Sequence, residues 1–269
     1  MTTPSDTLSD LTRIVSALPP LPRQVVKTSD YRRGQFICRI AIGTGAIGTI
    51  SGPSGSGKTT TVVSFLREND TRNVYVQLPQ RARVRDVIAK LWEGMVGLPS
   101  GKRRQREMEN DLVDLLTDGK TCIVADEIHN VGIVGMQALR YLHDRVVAHR
   151  NHGLGPDAEE VGGFPLLLVG MNVTLALAEA DELQTRAGLG YEFSTVPQDK
   201  VAEVAGGMHP SLAASTPARL LLLDGRYCKG NLRRWRNVIR NLTELREKGD
   251  VTGITDEEVK DLLILAGRR

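Results

Sequence analysis

Aromatic side chains are scarce in this sequence: phenylalanine, tryptophan and tyrosine together make up 4% of its 269 residues. Since 41% of the residues are hydrophobic, the interior must be built mainly from aliphatic side chains. The sequence also lacks apolar stretches long enough to cross a membrane, and no apolar run of the signal-peptide type stands near its first residue. From these absences we expect a cytoplasmic protein without membrane partners.

Cysteine is rare as well, and Cys38, Cys122 and Cys228 lie far apart without any C-x-x-C motif. This spacing argues against both a disulfide framework and a zinc ribbon, and a reducing compartment is the simplest setting. The formal net charge is +3, a mild basic excess that permits an acidic partner but does not require one. The length is sufficient for one large domain and a second, smaller one.

The most informative stretch fits the pattern G-x-x-x-x-G-K-[ST], the phosphate-binding P-loop. Glycines here permit backbone angles that let successive N–H groups surround a phosphate, while Lys58 reaches the β- and γ-phosphates and the Thr59 hydroxyl suits Mg²⁺. A chance glycine-rich turn is the alternative, but an apolar strand precedes the segment and a helix follows it. The predicted cofactors are ATP and Mg²⁺, and the predicted nucleotide-binding residues are Gly52, Pro53, Ser54, Gly55, Ser56, Gly57, Lys58, Thr59 and Thr60.

Short apolar segments alternate with helical patterns up to Pro197, which is typical of a helix-covered parallel sheet. Beyond Pro197 only helical patterns occur, and Thr255 with Glu258 forms a capping box for the last helix. The predicted fold is an α/β P-loop NTPase with a five-stranded parallel sheet flanked by helices, plus a small C-terminal all-helical lid. We predict strands over 46–51, 74–78, 121–125, 164–169 and 191–196, and domains over 1–27 (an arm or linker), 28–200 (the core) and 201–269 (the lid).

Two local patterns carry further structural predictions. The glycine-rich, acidic stretch over 151–163 is predicted to be an exposed, mobile loop. Trp235 has helical spacing with Leu232, Val238 and Ile239, which favours a place in the core over a role in base stacking.

An acidic pair, Asp126 and Glu127, follows the third apolar strand. A carboxylate at the carboxyl end of a buried strand beside the P-loop is where the metal shell of a nucleotide site requires one. We predict that Asp126 binds Mg²⁺ together with Thr59, and that Glu127 orients or deprotonates the attacking water. The alternative is a pair that only complements a helix dipole. Asn172, after the fourth strand, is suited to contact the γ-phosphate or the water, or to cap the next helix.

The P-loop, the Asp-Glu strand, the polar residue after the fourth strand and the helical lid together resemble an AAA+ ATPase over residues 28–245. In that family the position of Asn172 is called sensor 1. The run Leu-Gln-Thr-Arg-Ala at 183–187 resembles the segment that carries the arginine finger, which implies that Arg186 contacts the nucleotide of the next subunit.

The run Gly-Asn-Leu-Arg-Arg at 230–234 resembles the lid motif whose arginine, sensor 2, contacts the γ-phosphate. Arg233 matches that arginine by position, and Arg234 is one place away. For Arg186 and Arg233 alike, the alternative is an ordinary exposed arginine.

Within this family, the compact size and the segments Leu-Val-Gly-Met-Asn at 168–172 and Leu-Gln-Thr-Arg at 183–186 are most similar to transposition regulators of the TniB/TnsC/MuB type. Such proteins bind DNA when loaded with ATP, assemble into rings or filaments, and direct or stimulate a transposase. The resemblance implies a homo-oligomer, non-specific binding of double-stranded DNA, and a transposase or recombinase partner. No separate DNA-binding helix-turn-helix is evident in the sequence.

Two basic clusters lie between the second and third predicted strands, where AAA+ proteins often build DNA-facing loops. Basic clusters neutralise phosphates and release counterions, which gives salt-dependent binding without sequence preference. A set of solvated faces is the alternative. The predicted DNA contacts are Arg81, Arg83, Arg85, Lys102, Arg103 and Arg104.

The leading hypothesis is an oligomeric, Mg²⁺-dependent ATPase that binds DNA and regulates a transposase or recombinase, through target selection or activation. ATP hydrolysis would then act as an assembly switch. A signalling or defence switch NTPase that acts through protein contacts without DNA is the alternative. A small-molecule kinase is a third interpretation, against which the helical lid and Arg186 argue.

Overall fold

The computed structural model describes residues 18–69, 72–155, 158–173, 188–247 and 249–267. The chain folds into two compact units. The sheet unit consists of the described parts of 1–19, 34–51 and 62–192. The lid unit consists of the described parts of 20–33, 52–61 and 193–269. The predicted domain boundaries stay a prediction.

A five-stranded sheet forms the centre of the sheet unit, in the order β2-β3-β4-β1-β5, and every pairing is parallel. Every residue of β1 and β3 is buried, as expected for strands covered on both faces. The predicted five-stranded parallel sheet is therefore confirmed. Its strands are β1 (Ile47–Ser51), β2 (Asn73–Gln77), β3 (Cys122–Asp126), β4 (Leu166–Val169) and β5 (Leu189–Glu192).

The last strand lies earlier in the chain than the predicted 191–196. It ends at Glu192 because the following residues have other partners, all in the lid unit. The N–H of Ser194 donates to Asp30 Oδ2 at 2.8 Å, and the N–H of Val196 donates to the carbonyl of Gly230 at 2.9 Å. Alternating polarity alone could not distinguish such contacts from strand pairing.

Five α-helices lie in the described part of residues 29–151. In α3 the apolar residues recur at helical spacing, so that Val87, Leu91 and Trp92 are buried, and Gly97 ends the helix in the left-handed region with φ 75°. These helices are α1 (Ser29–Thr44), α2 (Lys58–Glu68), α3 (Val84–Val96), α4 (Gln105–Leu116) and α5 (Gly132–Asn151). None of the described helices is long and apolar enough to cross a membrane.

The glycine-rich loop after α5 is largely exposed in its described part, as predicted, but its end is held in place. The guanidinium of Arg150 donates to the carbonyls of Gly162 and Gly163 at 2.6 and 2.5 Å. Asn151 exchanges two hydrogen bonds with the backbone of Val161. These bonds fix the chain before it enters β4. The sequence also has apolar residues at helical spacing before residue 18 and from Leu175 to Leu183, which predict two further helices, and both segments lie outside the described residues.

The lid unit is helical after residue 197, as predicted, and has its own core. Trp235 is 1% exposed and donates its Nε1 hydrogen to Asp224 Oδ1 at 3.2 Å, so its predicted place in the core is confirmed. The predicted capping box of Thr255 and Glu258 is present. The helices are α6 (Val201–Gly206), α7 (Pro210–Ala213), α8 (Pro217–Leu223), α9 (Leu232–Leu245) and α10 (Asp256–Leu265).

A charged pair joins α9 to α10 in the lid unit. The buried Arg246 donates from Nε to Glu258 Oε1 at 2.5 Å and from Nη2 to Oε2 at 2.7 Å, a bidentate geometry that is stronger than a single contact. These hydrogen bonds to Arg246 lower the pKa of Glu258 to about 2. A carboxyl group with a depressed pKa stabilises the folded state above its unfolded pKa, and this contribution is lost as the pH falls toward the folded pKa.

We therefore expect Glu258→Gln to lower the free energy of unfolding at pH 7 by about 2 kcal/mol, and to have little effect near pH 2. The difference in stability between the wild type and Glu258→Gln should shrink as the pH falls from the ordinary glutamate pKa of 4.5 to the folded value of about 2. Urea unfolding at pH 7, 4 and 2.5 measures it. Glu257→Gln, at an exposed position in the same helical turn, is the matched control. Equal free energies of unfolding for the two variants at pH 7 would contradict a stabilising role of the pair Arg246 and Glu258.

Candidate functional site

The glycine-rich segment 52–57 connects β1 to α2, and its glycines are required by conformation and by space. Gly52 has φ 135°, and a Cβ there would come within 2.4 Å of the carbonyl oxygen of Phe193. Gly57 has φ 104°, which L side chains rarely adopt. Both positions therefore exclude other residues for reasons that the sequence pattern only implied.

Lys58 lies at the first position of α2 and is buried, with 8% exposure. Its Nζ donates to the carbonyls of Gly52 at 2.7 Å and Pro53 at 2.8 Å. The ammonium group thus points into the loop that precedes it. Because a phosphate oxygen is a stronger acceptor for an ammonium than a neutral carbonyl, these hydrogen bonds can be exchanged for bonds to an anion.

The hydroxyl groups of this segment differ in their partners. Ser56 Oγ is buried, with 6% residue exposure, and makes no hydrogen bond to the described residues. A buried hydroxyl without a partner is unfavourable, and a ligand that supplies one would relieve the cost. Thr60 Oγ1 accepts a hydrogen bond from Arg236 at 3.3 Å. Thr59 is half-buried and is the second residue of α2.

The start of α9 contacts the same loop within the lid unit. Arg233 Nη1 donates to Ser54 Oγ at 3.0 Å. Arg234 instead donates from Nη1 to the carbonyl of Tyr227 at 2.8 Å, and its guanidinium lies 5.8 Å from the ring centre of Tyr227. Of the two lid arginines that the sequence left open, the structure thus brings Arg233 to the loop.

A cleft beside the loop was missed by the sequence analysis. Its walls are mainly apolar: Val26 and Tyr31 come from the first stretch of the lid unit, while Gly57, Thr60 and Arg236 come from the loop, α2 and α9. Residues 24–27 fall at the end of the predicted arm, where the two adjacent valines Val25 and Val26 are the only apolar pattern. The full lining is Gln24, Val25, Val26, Thr28, Tyr31, Ser56, Gly57, Thr60, Thr61, Phe193, Met208, Leu232 and Arg236.

Asp126 is the last residue of β3 in the sheet unit and is 3% exposed. Its Oδ2 accepts a short hydrogen bond from the Tyr75 hydroxyl, and its Oδ1 accepts from the N–H of Glu127 at 2.8 Å. Burial of Tyr75, together with the adjacent Asp126 carboxylate, raises the pKa of that phenol far above its usual value. Tyr75 therefore stays protonated and holds the carboxylate in one orientation.

Glu127 adopts a left-handed backbone conformation with φ 57°. This region is unfavourable for glutamate and is concentrated at functional positions. Its Oε2 lies 3.4 Å from Nε2 of His129. Because His129 Nδ1 accepts the N–H of Met171 at 3.2 Å, the imidazole hydrogen is assigned to Nε2, which faces the carboxylate. His129 thus connects the segments that follow β3 and β4.

Asn172 follows β4 and also lies in the left-handed region, with φ 53°. Its side chain is exposed, and the next residue, Val173, donates its N–H to Ser51 Oγ at 3.1 Å. Since all strands are parallel, Glu127 and Asn172 leave the sheet at the same edge. Arg186, the predicted arginine finger, lies outside the described residues.

The two predicted basic clusters meet in the sheet unit. Arg85 Nη2 donates to the carbonyls of Gly101 and Arg103 at 3.3 and 3.2 Å. The guanidinium of Arg103 lies 4.6 Å from the ring centre of Trp92, and its Nη1 is 3.2 Å from Asp111 Oδ2. Two of the six residues thus hold the turn that precedes α4. All six residues are exposed, including Arg81, Arg83, Lys102 and Arg104.

The sheet order, with β1 between β4 and β5 and a P-loop directly after β1, defines a P-loop NTPase of the AAA+ type. The family model described as an AAA domain matches residues 41–176, just over half of the chain. The chain therefore belongs to the AAA domain family. No curated protein matches it significantly.

Solved structures with the same fold cover nearly the whole chain. ORC2 of Aeropyrum pernix, in ADPNP-ADP complexes, has a TM-score of 0.63 at 15% identity, over 92% of this chain and 70% of that one. Cdc6p of Pyrobaculum aerophilum has a TM-score of 0.65 at 14% identity, over 96% of this chain and 71% of that one. RuvB of Thermotoga maritima, a Holliday junction branch migration motor, has a TM-score of 0.52 at 15% identity, over 92% of this chain and 72% of that one. At these identities the similarity establishes the fold alone.

Proposed function

We propose that this protein is an AAA+ ATPase that binds ATP with Mg²⁺ and hydrolyses it. The observation that carries the proposal is the loop of residues 52–59, where Lys58 points inward and Arg233 rests on Ser54. Two cations at a loop rich in backbone donors suit the β- and γ-phosphates. Gly52, Pro53, Gly55, Ser56, Gly57 and Thr60 would complete the contacts.

The mainly apolar cleft beside the loop supports adenine binding, because a purine ring buries well against aliphatic and aromatic side chains. Val26, Tyr31 and Met208 are the side chains that we propose for this contact. The sequence contains no Asn-Lys-x-Asp motif for reading another base, which also favours ATP.

Mg²⁺ prefers oxygen ligands and keeps several of its waters in nucleotide sites. Thr59 and Asp126 offer a hydroxyl and a carboxylate, and the hydrogen bond from Tyr75 fixes the orientation of Asp126. We propose these two residues as the protein ligands. The metal would neutralise charge on the phosphates, while the residues around it fix its position.

We propose that Glu127 orients and deprotonates the attacking water, with His129 holding the carboxylate, and that Asn172 contacts the γ-phosphate or that water. Arg186 is proposed, on the family resemblance, to reach the nucleotide of a neighbouring subunit and to stabilise the charge of phosphoryl transfer. That role requires a homo-oligomer, either a ring or a filament. The three buried free thiols support a reducing, cytoplasmic setting.

We further propose that the assembly binds double-stranded DNA without sequence preference and regulates a transposase or recombinase, with hydrolysis as the assembly switch. The sequence resemblance supports the partner class. Exposed Arg81, Arg83, Lys102 and Arg104 support DNA binding, since cations on a surface attract phosphates. Arg85 and Arg103 are proposed to act in part by shaping that turn.

Light scattering with Mg-ATP, with and without duplex DNA, tests this part of the proposal. We expect an ATP-dependent assembly that DNA enlarges or stabilises, and we expect Lys102→Glu/Arg104→Glu to weaken DNA binding at least about tenfold at low salt. Lys120→Glu/Lys260→Glu, an equal charge change at two other exposed positions, is the control. An ATP-dependent assembly indifferent to DNA would favour a switch that acts through protein contacts.

A further inference from the structure

Asn231, in the lid unit, makes hydrogen bonds in two directions. Its Oδ1 accepts from the N–H groups of Arg233 and Arg234 at 3.0 and 3.1 Å, which caps the start of α9. Its Nδ2 donates to the carbonyl of Ser54 in the phosphate loop at 2.7 Å. One side chain therefore satisfies the end of a lid helix and a carbonyl of the loop at once.

A second hydrogen bond runs beside the first. The N–H of Leu232 donates to the carbonyl of Gly55 at 3.0 Å, so two consecutive lid residues bind two consecutive loop carbonyls. The guanidinium of Arg233 adds its contact with the Ser54 hydroxyl. Backbone and side chain both take part, which fixes the direction of the loop more strictly than one bond would.

The fit between Asn231 and the loop also explains a glycine that the P-loop pattern leaves unspecified. Position 55 is one of the variable positions of G-x-x-x-x-G-K-[ST]. A Cβ on Gly55 would lie 2.2 Å from Asn231 Oδ1, so the amide packs directly on the glycine backbone. Gly55 also has φ 78°, which other residues adopt only with strain.

The lid motif is itself anchored to the core of the lid unit. Asp224 is buried and accepts from the N–H of Gly230 at 2.8 Å and from Trp235 Nε1. Gly230 has φ 69°, and a Cβ there would come within 2.4 Å of the carbonyl oxygen of Val196. The backbone that carries Asn231 is therefore fixed by the core of the lid unit.

We propose that Asn231 is a positioning residue that ties the phosphate loop to the lid, so that occupancy of the loop by nucleotide is transmitted to α9. The inference rests on the proposed nucleotide binding, and it adds a residue whose contacts are with the loop backbone. Loss of the tether would weaken nucleotide binding, because the loop carbonyls and N–H groups would no longer be held in one orientation.

The test separates the tether from the helix cap. Asn231→Ser keeps a good capping hydroxyl but is too short to donate to Ser54, whereas Asn231→Ala removes both functions. Titration with fluorescent ADP should give about fivefold weaker binding for the serine variant, the effect of one hydrogen bond. Its thermal midpoint without nucleotide should stay within about 2 °C of the wild type, while the alanine variant should also lose stability.

Hydrogen exchange measures an effect of ADP on α9 that would stay unchanged if Asn231 had only a structural role. In the wild type, ADP should slow exchange of the backbone amides at 232–238, and in Asn231→Ser this protection should fall by at least half. A serine variant that binds ADP like the wild type and keeps the protection would overturn the inference. A wild type that binds no nucleotide would instead overturn the proposed function.

Gly55→Ala approaches the same contact from the loop and provides a second test of it. Its Cβ should displace the amide and weaken ADP binding. Because that clash disappears when residue 231 is small, the added effect of Gly55→Ala should be smaller in the Asn231→Ser background, where only backbone strain remains. If Gly55→Ala and Asn231→Ser had strictly additive effects on the free energy of ADP binding, the contact between Asn231 and the loop would not contribute to ADP affinity.

Discussion

Lys58→Ala is expected to weaken ATP binding by at least about 100-fold, since a hydrogen bond to a charged group is worth about 1.5–3 kcal/mol and the ammonium serves two phosphates. The structure adds a second reason. Lys58 Nζ binds the carbonyls of Gly52 and Pro53, so its removal also frees the loop that would surround the phosphates. Equilibrium titration with ATP and ADP measures the effect.

Lys58→Met separates loss of the ammonium from loss of side-chain packing, because it keeps a buried aliphatic stem but supplies no donor to the phosphates or to the loop carbonyls. Both variants should lose binding to a similar extent, and Lys90→Ala, at an exposed position on α3, should bind ATP like the wild type. If Lys58→Ala bound ATP within about threefold of the wild type, the segment 52–59 would not be a phosphate site.

Glu127→Gln is expected to slow ATP hydrolysis by about 10²–10⁴-fold while ATP binding is retained, the range associated with loss of a general base. Glutamine keeps the shape of the side chain and can still accept the hydrogen of His129 Nε2. It cannot take a proton from water. Single-turnover hydrolysis with pre-bound ATP measures the change, and the ATP-bound assembly should persist for correspondingly longer in light scattering.

His129→Ala is the informative comparison for that variant. If His129 only orients Glu127, its loss should cost about tenfold in hydrolysis, well short of the cost of removing the base itself. Glu107→Gln, which changes an exposed carboxylate in the first turn of α4, is the control for the loss of one negative charge. A Glu127→Gln protein that turned over ATP at the wild-type rate would remove Glu127 from the reaction.

The backbone at Glu127 strengthens this expectation. A left-handed conformation costs a residue with a Cβ about 1 kcal/mol, and glycine would avoid the cost. The side chain is about one-third exposed, so the packing of the sheet does not explain a carboxylate at this position. An unfavourable conformation kept by a partly exposed acid is a feature of functional sites more than of stable scaffolds.

Patterns local in the chain predicted most of the fold. The alternation of apolar strands and helices predicted the parallel sheet, and helical spacing placed Trp235 in the core, because burial on one face follows directly from the period of the element. Capping of α10 was equally local, since Thr255 and Glu258 are three residues apart.

Contacts between distant segments could not be predicted in the same way. Val26 lines the cleft beside the loop, although it follows a proline-rich stretch and was predicted to belong to an arm or linker. Arg103 was predicted from its charge as a DNA contact, but its position over Trp92 and beside Asp111 depends on how α3 and α4 pack. Asn231 likewise shows its second hydrogen bond only when the loop is in place.

The unit that holds the phosphate loop is built from three separate stretches, 20–33, 52–61 and 193–269. Asn231 and its partner Ser54 are 177 residues apart. At a synthesis rate of about 5–20 residues per second, Asn231 leaves the ribosome about 10–35 s after Ser54. During translation the motif therefore exists for many seconds before the residues that shape it, and the loop takes its final form as one of the last events in the maturation of the chain.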